Sequence, residues 1–342
     1  METAKEFRVN NFDLLRLMAA TEVIIDHYFQ HLNLPISHLA TKILYLFPGV
    51  PVFFFISGYL ISASFERNGN LRNYLRNRAL RIYPGLWGCI LLTVIVISIT
   101  GVSFLNRQTI GWLPAQLAGF IYTPAFLANY GFGSYNGSLW TIPIELQFYL
   151  LLPVCYFFAP KRHINYWFAA LFIAFTIISF MVQVNYPHGM VAKLIRYSFI
   201  QHFYLFLAGV MMQRLRVYTS RFIYNKAHYW LIIYVFFSMI LFDRLDPIVF
   251  TMLQYLLLTF CLLSMAYTLP NLAAKMLRTN DISYGVYIYH GLILTVIVQL
   301  KLVGYINIYL ILLLTYLLAY LSWMFIEKPF MKRKERTIRQ TV

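Results

Sequence analysis

The sequence predicts an all-α integral membrane protein of about ten transmembrane helices with N- and C-termini in the cytoplasm. Three observations predict it. Of 342 residues, 60% are hydrophobic and only 12% are charged, where a soluble domain carries roughly 25% charged residues. The mean hydropathy of +0.64 is spread along the whole chain, which excludes both a soluble enzyme with one anchor and a disordered protein. Runs such as 305–326 and 248–269 are apolar on every face, whereas the strands of a membrane barrel alternate apolar and polar residues.

Spans are predicted near 12–32, 43–66, 79–100, 139–158, 165–183, 199–213, 229–242, 248–268, 282–300 and 304–327, with 199–213 and 229–242 the shortest. With the N-terminus inside, most of the 28 Lys and Arg residues fall on cytoplasmic segments: Lys5 and Arg8, the 67–81 cluster, Lys161 and Arg162, the 214–226 cluster, Lys275 and Arg278, and a basic tail over 328–342. Lys42, Arg107, Lys193, Arg196, Arg244 and Lys301 stay outside. Topology thus accounts for the net charge of +16, and no nucleic acid is implied. No internal repeat or separately folding appendage is visible, so residues 1–342 read as one domain. Cys89, Cys155 and Cys261 lie inside spans, an odd number without metal-ligand spacing, so neither a disulfide framework nor a metal site is expected.

Ionisable side chains at membrane depth cost several kcal/mol and each is a functional candidate with a partner to be found. The first span carries Asp13, Arg16, Glu22, Asp26 and His27, too polar for a cleavable signal core. Arg16 and His27, eleven residues apart, share a helix face roughly 16 Å from each other. Arg16 either pairs with Asp13 one turn away or faces a ligand, and His27 is either a satisfied core histidine or a catalytic one. At the start of the third span, Arg78 and Arg81 share a face at the cytoplasmic boundary, where two guanidinium forks suit phosphate oxygens; Arg67, Arg72 and Arg76 read as topology determinants. The exterior segment 101–138, apolar in its middle, caps the bundle or dips into the interface. In the fourth span, Glu145 lies about 9 Å below the outer boundary, the depth of His27. There it could orient His27 as a carboxylate orients a general base, or bond tyrosines and backbone freed by Pro143. In the ninth span His290 is structural glue or part of a polar cavity.

Six blocks in order carry a resemblance: Asn11-Phe-Asp13-Leu-Leu-Arg16 with Asp26-His27; Val52 to Ile61 with Ser57-Gly58; Arg78-Ala-Leu-Arg81-Ile-Tyr-Pro84; Ser138-Leu-Trp140 through Glu145 to Tyr149; Ser283 to His290; and Ile326-Glu327-Lys-Pro329. Together they resemble the acyltransferase family 3 membrane proteins, bacterial enzymes that O-acylate surface carbohydrates. The resemblance runs from the first span to the last. It implies an integral protein of the bacterial inner membrane, acyl-coenzyme A, most readily acetyl-CoA, as donor substrate with no tightly bound cofactor, and a carbohydrate or glycolipid hydroxyl as acceptor, for example on O-antigen, capsule or exopolysaccharide. It places the catalytic pair on His27 and Glu145 and donor binding on Arg16, Arg78 and Arg81. Asp13, Asp26, Ser57, Trp140, Tyr149, Ser283 and His290 are expected in substrate or structural support. Many relatives append a soluble hydrolase-like domain; this chain ends fifteen residues after Glu327 and so resembles the stand-alone form, acting alone or handing its acyl group to a partner protein. The competing class is a transporter or flippase for a glycan or small anion, which would also bury Arg, Glu and His in a polytopic bundle.

Overall fold

The computed structural model describes residues 9–278 and 280–332, and every regular element among them is helical. Lys5, Arg8 and residues 333–342 of the expected basic tail lie outside the described residues. The helices are α1 (Phe12–His31), α2 (His38–Leu44), α3 (Gly49–Asn68), α4 (Leu71–Ile99), α5 (Arg107–Leu117), α6 (Ile142–Phe157), α7 (Ile164–Asn185), α8 (Gly189–Arg196), α9 (Phe203–Arg214), α10 (Ala227–Leu241), α11 (Pro247–Ala266), α12 (Leu272–Leu277), α13 (Ser283–Gln299) and α14 (Ile308–Ser322).

Among the described residues, six helical stretches are long and apolar enough to cross a membrane: His38–Arg67, Leu71–Ile99, Gly137–Phe157, Lys161–Asn185, Pro247–Ala266 and Ile308–Lys332. Among the others, α10 and α13 are apolar but shorter, α9 has 12 residues, and α1 has the length but carries the ionisable side chains noted above. The predicted span 43–66 is interrupted at Pro48, the residue before α3, because proline lacks the N–H that would continue the preceding helix. The last span overruns its predicted end. From Ser322 it passes into a π-helical turn, Trp323–Glu327, and stays helical to Lys332, so the first residues of the expected tail extend the helix.

Contacts divide the chain into two compact units, each assembled from segments distant in sequence. The first takes Met1–Ala19, Ser37–Leu71 and Gln147–Thr279. Its centre is the crossing of α3 and α9, where a Cβ on Gly58 would strike the Phe206 carbonyl and one on Gly209 the Phe55 carbonyl; two glycines let the backbones touch. Asn11 anchors the start of α1, donating to the Thr268 carbonyl (2.8 Å) and accepting from the Ala273 amide (2.9 Å). At the ends of α3 and α9, Glu66 pairs with Arg214, and Tyr156 and Gln213 also donate to that carboxylate.

The second unit takes Ala20–Ile36, Arg72–Leu146 and Asn280–Val342. Here α13 packs on α14 with Gly285 against Ala319. The segment 101–138 is a folded cap, as its apolar middle suggested: Trp112 is fully buried, donates to the Tyr122 carbonyl (3.1 Å) and meets the Tyr135 ring edge-on. Three further bonds tie the cap to α13: Thr295 to the Ser134 carbonyl (2.7 Å), the Gly131 amide to Gln299 (2.9 Å), and Asn136 to the Ile288 carbonyl (2.8 Å).

Candidate functional site

The candidate site is built within the second unit from the second half of α1, the 131–141 stretch and α13. Helix α13 starts where Asp281 accepts from the Ser283 amide (3.2 Å) and hydroxyl (2.5 Å), satisfying one of the free N–H groups of a helix start. Arg81 in turn holds Asp281 at 2.5 Å and lies over the Tyr284 ring. Along α13 the side chains from Ser283 to Leu292 are buried. Gly291 has no Cβ, and one would strike Asn136 Oδ1 and the Ser138 amide. Through that gap Asn136 reaches the Ile288 carbonyl and accepts from the Ser138 hydroxyl (2.6 Å) and amide (3.2 Å).

One residue before that glycine, His290 is fully buried. Its Nδ1 lies 3.3 Å from the Val286 carbonyl oxygen, and its Nε2 lies 3.0 Å from Nδ1 of His27. A third imidazole, His31, sits one turn along α1 from His27, the ring centroids 4.7 Å apart. His31 stacks flat on Phe132 at 4.0 Å and its Nε2 is buried without a hydrogen-bond partner. Beside His290 stands Tyr287, whose hydroxyl oxygen accepts from Thr141 (2.9 Å). Among the described residues no three His, Cys, Asp or Glu side chains are arranged to hold a metal ion.

The structure therefore joins His27 to His290, residues from the first and ninth predicted spans. At His27 Nδ1 the partner is an imidazole; Glu145, the orienting carboxylate expected from sequence, lies in the first turn of α6. Arg78 and Arg81 are half-buried on α4, while Arg67, Arg72 and Arg76 are exposed. Ser283 belongs to the Asp281 cap, and Trp140 lies half-buried in the Gly137–Thr141 turn. Asp26 accepts from Gln30 one turn on (2.7 Å). Asp13 and Arg16 fall in the first half of α1, and Ser57 and Tyr149 are buried in the first unit. His31 and Asn136 were not singled out from sequence. The spacing of His27 and His31, four residues on one helix, is a signal for the first; Asn136 two residues before Ser138 is a turn signal for the second.

These features define a polytopic membrane protein whose site centres on a histidine pair, His290 fully buried and His27 half-buried. The chain matches a family model described as an acyltransferase domain over residues 9–326, and it belongs to that family, acyltransferase family 3. It is 28% identical to Nodulation protein 10 of Rhizobium leguminosarum bv. viciae over 354 residues, covering 94% of this chain and 93% of that protein. It is 26% identical to an O-acetyl transferase of Shigella phage Sf6 over 334 residues, covering 95% and 96%. No solved structure matches the chain.

Proposed function

We propose that the chain is a ten-span O-acetyltransferase of the bacterial inner membrane, both termini cytoplasmic, that moves acetyl from acetyl-CoA to a hydroxyl of a surface carbohydrate. In this reading α1, α9, α10 and α13 complete the bundle alongside the six longer spans. The observation that carries the reading is His27, half-buried at a junction of imidazoles in a chain of acyltransferase sequence. The likeness to a phage O-acetyl transferase supports the acyl group and the ester product.

Arg78 and Arg81 bind the phosphates of the donor, which takes from Asp281 its hold on Arg81. The pantetheine arm rises toward His27. The acceptor hydroxyl attacks the thioester carbonyl as its proton passes to His27; the C–S bond breaks, and the leaving thiolate takes that proton, giving an O-acetyl ester and coenzyme A. Glu145, in the first turn of α6, adds a carboxylate to the site. Transfer ends on the glycan or on a separate acyl-carrying partner protein.

The test uses purified protein in liposomes with acetyl-labelled acetyl-CoA and candidate glycolipid acceptors. Wild type releases coenzyme A and labels the acceptor; His27→Ala abolishes both while still inserting; Arg78→Ala raises the donor concentration needed. Undiminished turnover by His27→Ala overturns the assignment of the base.

A further inference from the structure

We infer that His290 is a positioning residue: it fixes the tautomer and ring plane of His27, so that His27 Nε2 is the unprotonated nitrogen that receives the acceptor's proton. The inference rests on the reading of His27 as general base. It follows from one chain of contacts. A carbonyl oxygen only accepts, so His290 Nδ1, 3.3 Å from the Val286 carbonyl, carries the proton of its ring. A neutral imidazole has one N–H, and His290 Nε2 therefore presents a lone pair. The nitrogen facing that lone pair at 3.0 Å, His27 Nδ1, must then be the donor. His27's one N–H is committed to His290, and its Nε2 is left with a lone pair.

This is the service a carboxylate performs for the histidine of a Ser-His-Asp triad, delivered here by a second imidazole. The ring that performs it is itself held. Asn136 grips the Ile288 carbonyl two residues earlier on the helix, Gly291 admits the 136–138 backbone against the helix, and Tyr287 packs edge-on to His290 at 5.9 Å. His31 packs against His27 from the next turn of α1 and, stacked on Phe132, limits rotation of the His27 ring.

Three substitutions separate hydrogen bonding from packing. In His290→Gln the amide Oε1 replaces the Nε2 acceptor; His290→Leu fills similar space without an acceptor; His290→Asn carries an acceptor too short to reach His27. Coenzyme A release in proteoliposomes, with His27→Ala as reference, gives kcat and KM for each. The expected result is a kcat within about tenfold of wild type for Gln and a loss of about 100-fold for Leu and Asn, with donor KM unchanged throughout. Equal activity of the Leu and Gln variants overturns the inference. So does an equal loss in both, which marks a packing role. If His27→Ala itself stays active, it is the general-base reading that fails. A second readout needs no variant at position 290: 15N shifts of histidine-labelled protein in detergent, with the His27 signals assigned by their loss in His27→Ala. Protonated Nδ1 on His27 supports the inference, and protonated Nε2 overturns it.

Discussion

Replacing Asn136 tests whether the cap over α13 is structural cement for the site. Asn136 is 2% exposed and makes three hydrogen bonds to oxygen and nitrogen partners, Nδ2 to the Ile288 carbonyl and Oδ1 from the Ser138 hydroxyl and amide, beside a weaker one from Nδ2 to the Cys89 sulfur (3.5 Å). At about 1 kcal/mol net for each buried bond, Asn136→Ala should cost about 3 kcal/mol. The Ser138 hydroxyl retains the Ile288 carbonyl at 3.3 Å, which keeps the loss near that figure. Asn136→Asp is the sharper probe, because it keeps both acceptor bonds, loses the donor and points a carboxylate oxygen at a carbonyl. It should destabilise at least as much as Ala in spite of its near-identical shape. Thermal or SDS-driven unfolding of the purified protein, followed by tryptophan fluorescence, measures both. A wild-type midpoint for Asn136→Asp would refute the reasoning.

Gly58→Ala, placing a Cβ against the Phe206 carbonyl, should lower stability by about 2–3 kcal/mol in the same unfolding assay, and Gly209→Ala should behave alike. Asp281→Asn removes the charge that holds Arg81 but leaves an oxygen to cap Ser283; donor KM should fall by about tenfold, whereas Arg81→Ala should raise it, since charge-assisted bonds to phosphate are worth about 1.5–3 kcal/mol.

Much of the helical order was legible because span-length apolar runs leave no other way to satisfy the backbone. Residues 165–183 and 248–268 became α7 and α11 with little change at either end. The break before α3 was visible as Pro48 but hidden under the hydropathy of its neighbours. The site was legible by residue type and illegible by pairing. His27 and His290 each stood out as titratable groups at membrane depth, yet they are 263 residues apart, and nothing local states that one faces the other. Matched depth did not single out His290 as the partner of His27, since depth fixes one coordinate of a side chain and leaves its direction round the helix open. Arg81 illustrates the same limit: its spacing from Arg78 is a sequence property, but its ion pair with Asp281 spans 200 residues and exists only in the folded chain.

The central claim is that His27 takes the acceptor's proton in acyl transfer. Its most direct test is the pH dependence of labelled acetyl transfer in sealed proteoliposomes with acetyl-CoA on one side, comparing wild type with His27→Ala. The account predicts that wild-type transfer rises with pH as an imidazole loses its proton and then levels off, and that His27→Ala abolishes the transfer. Transfer by His27→Ala at the wild-type rate, with the same pH profile, would contradict it.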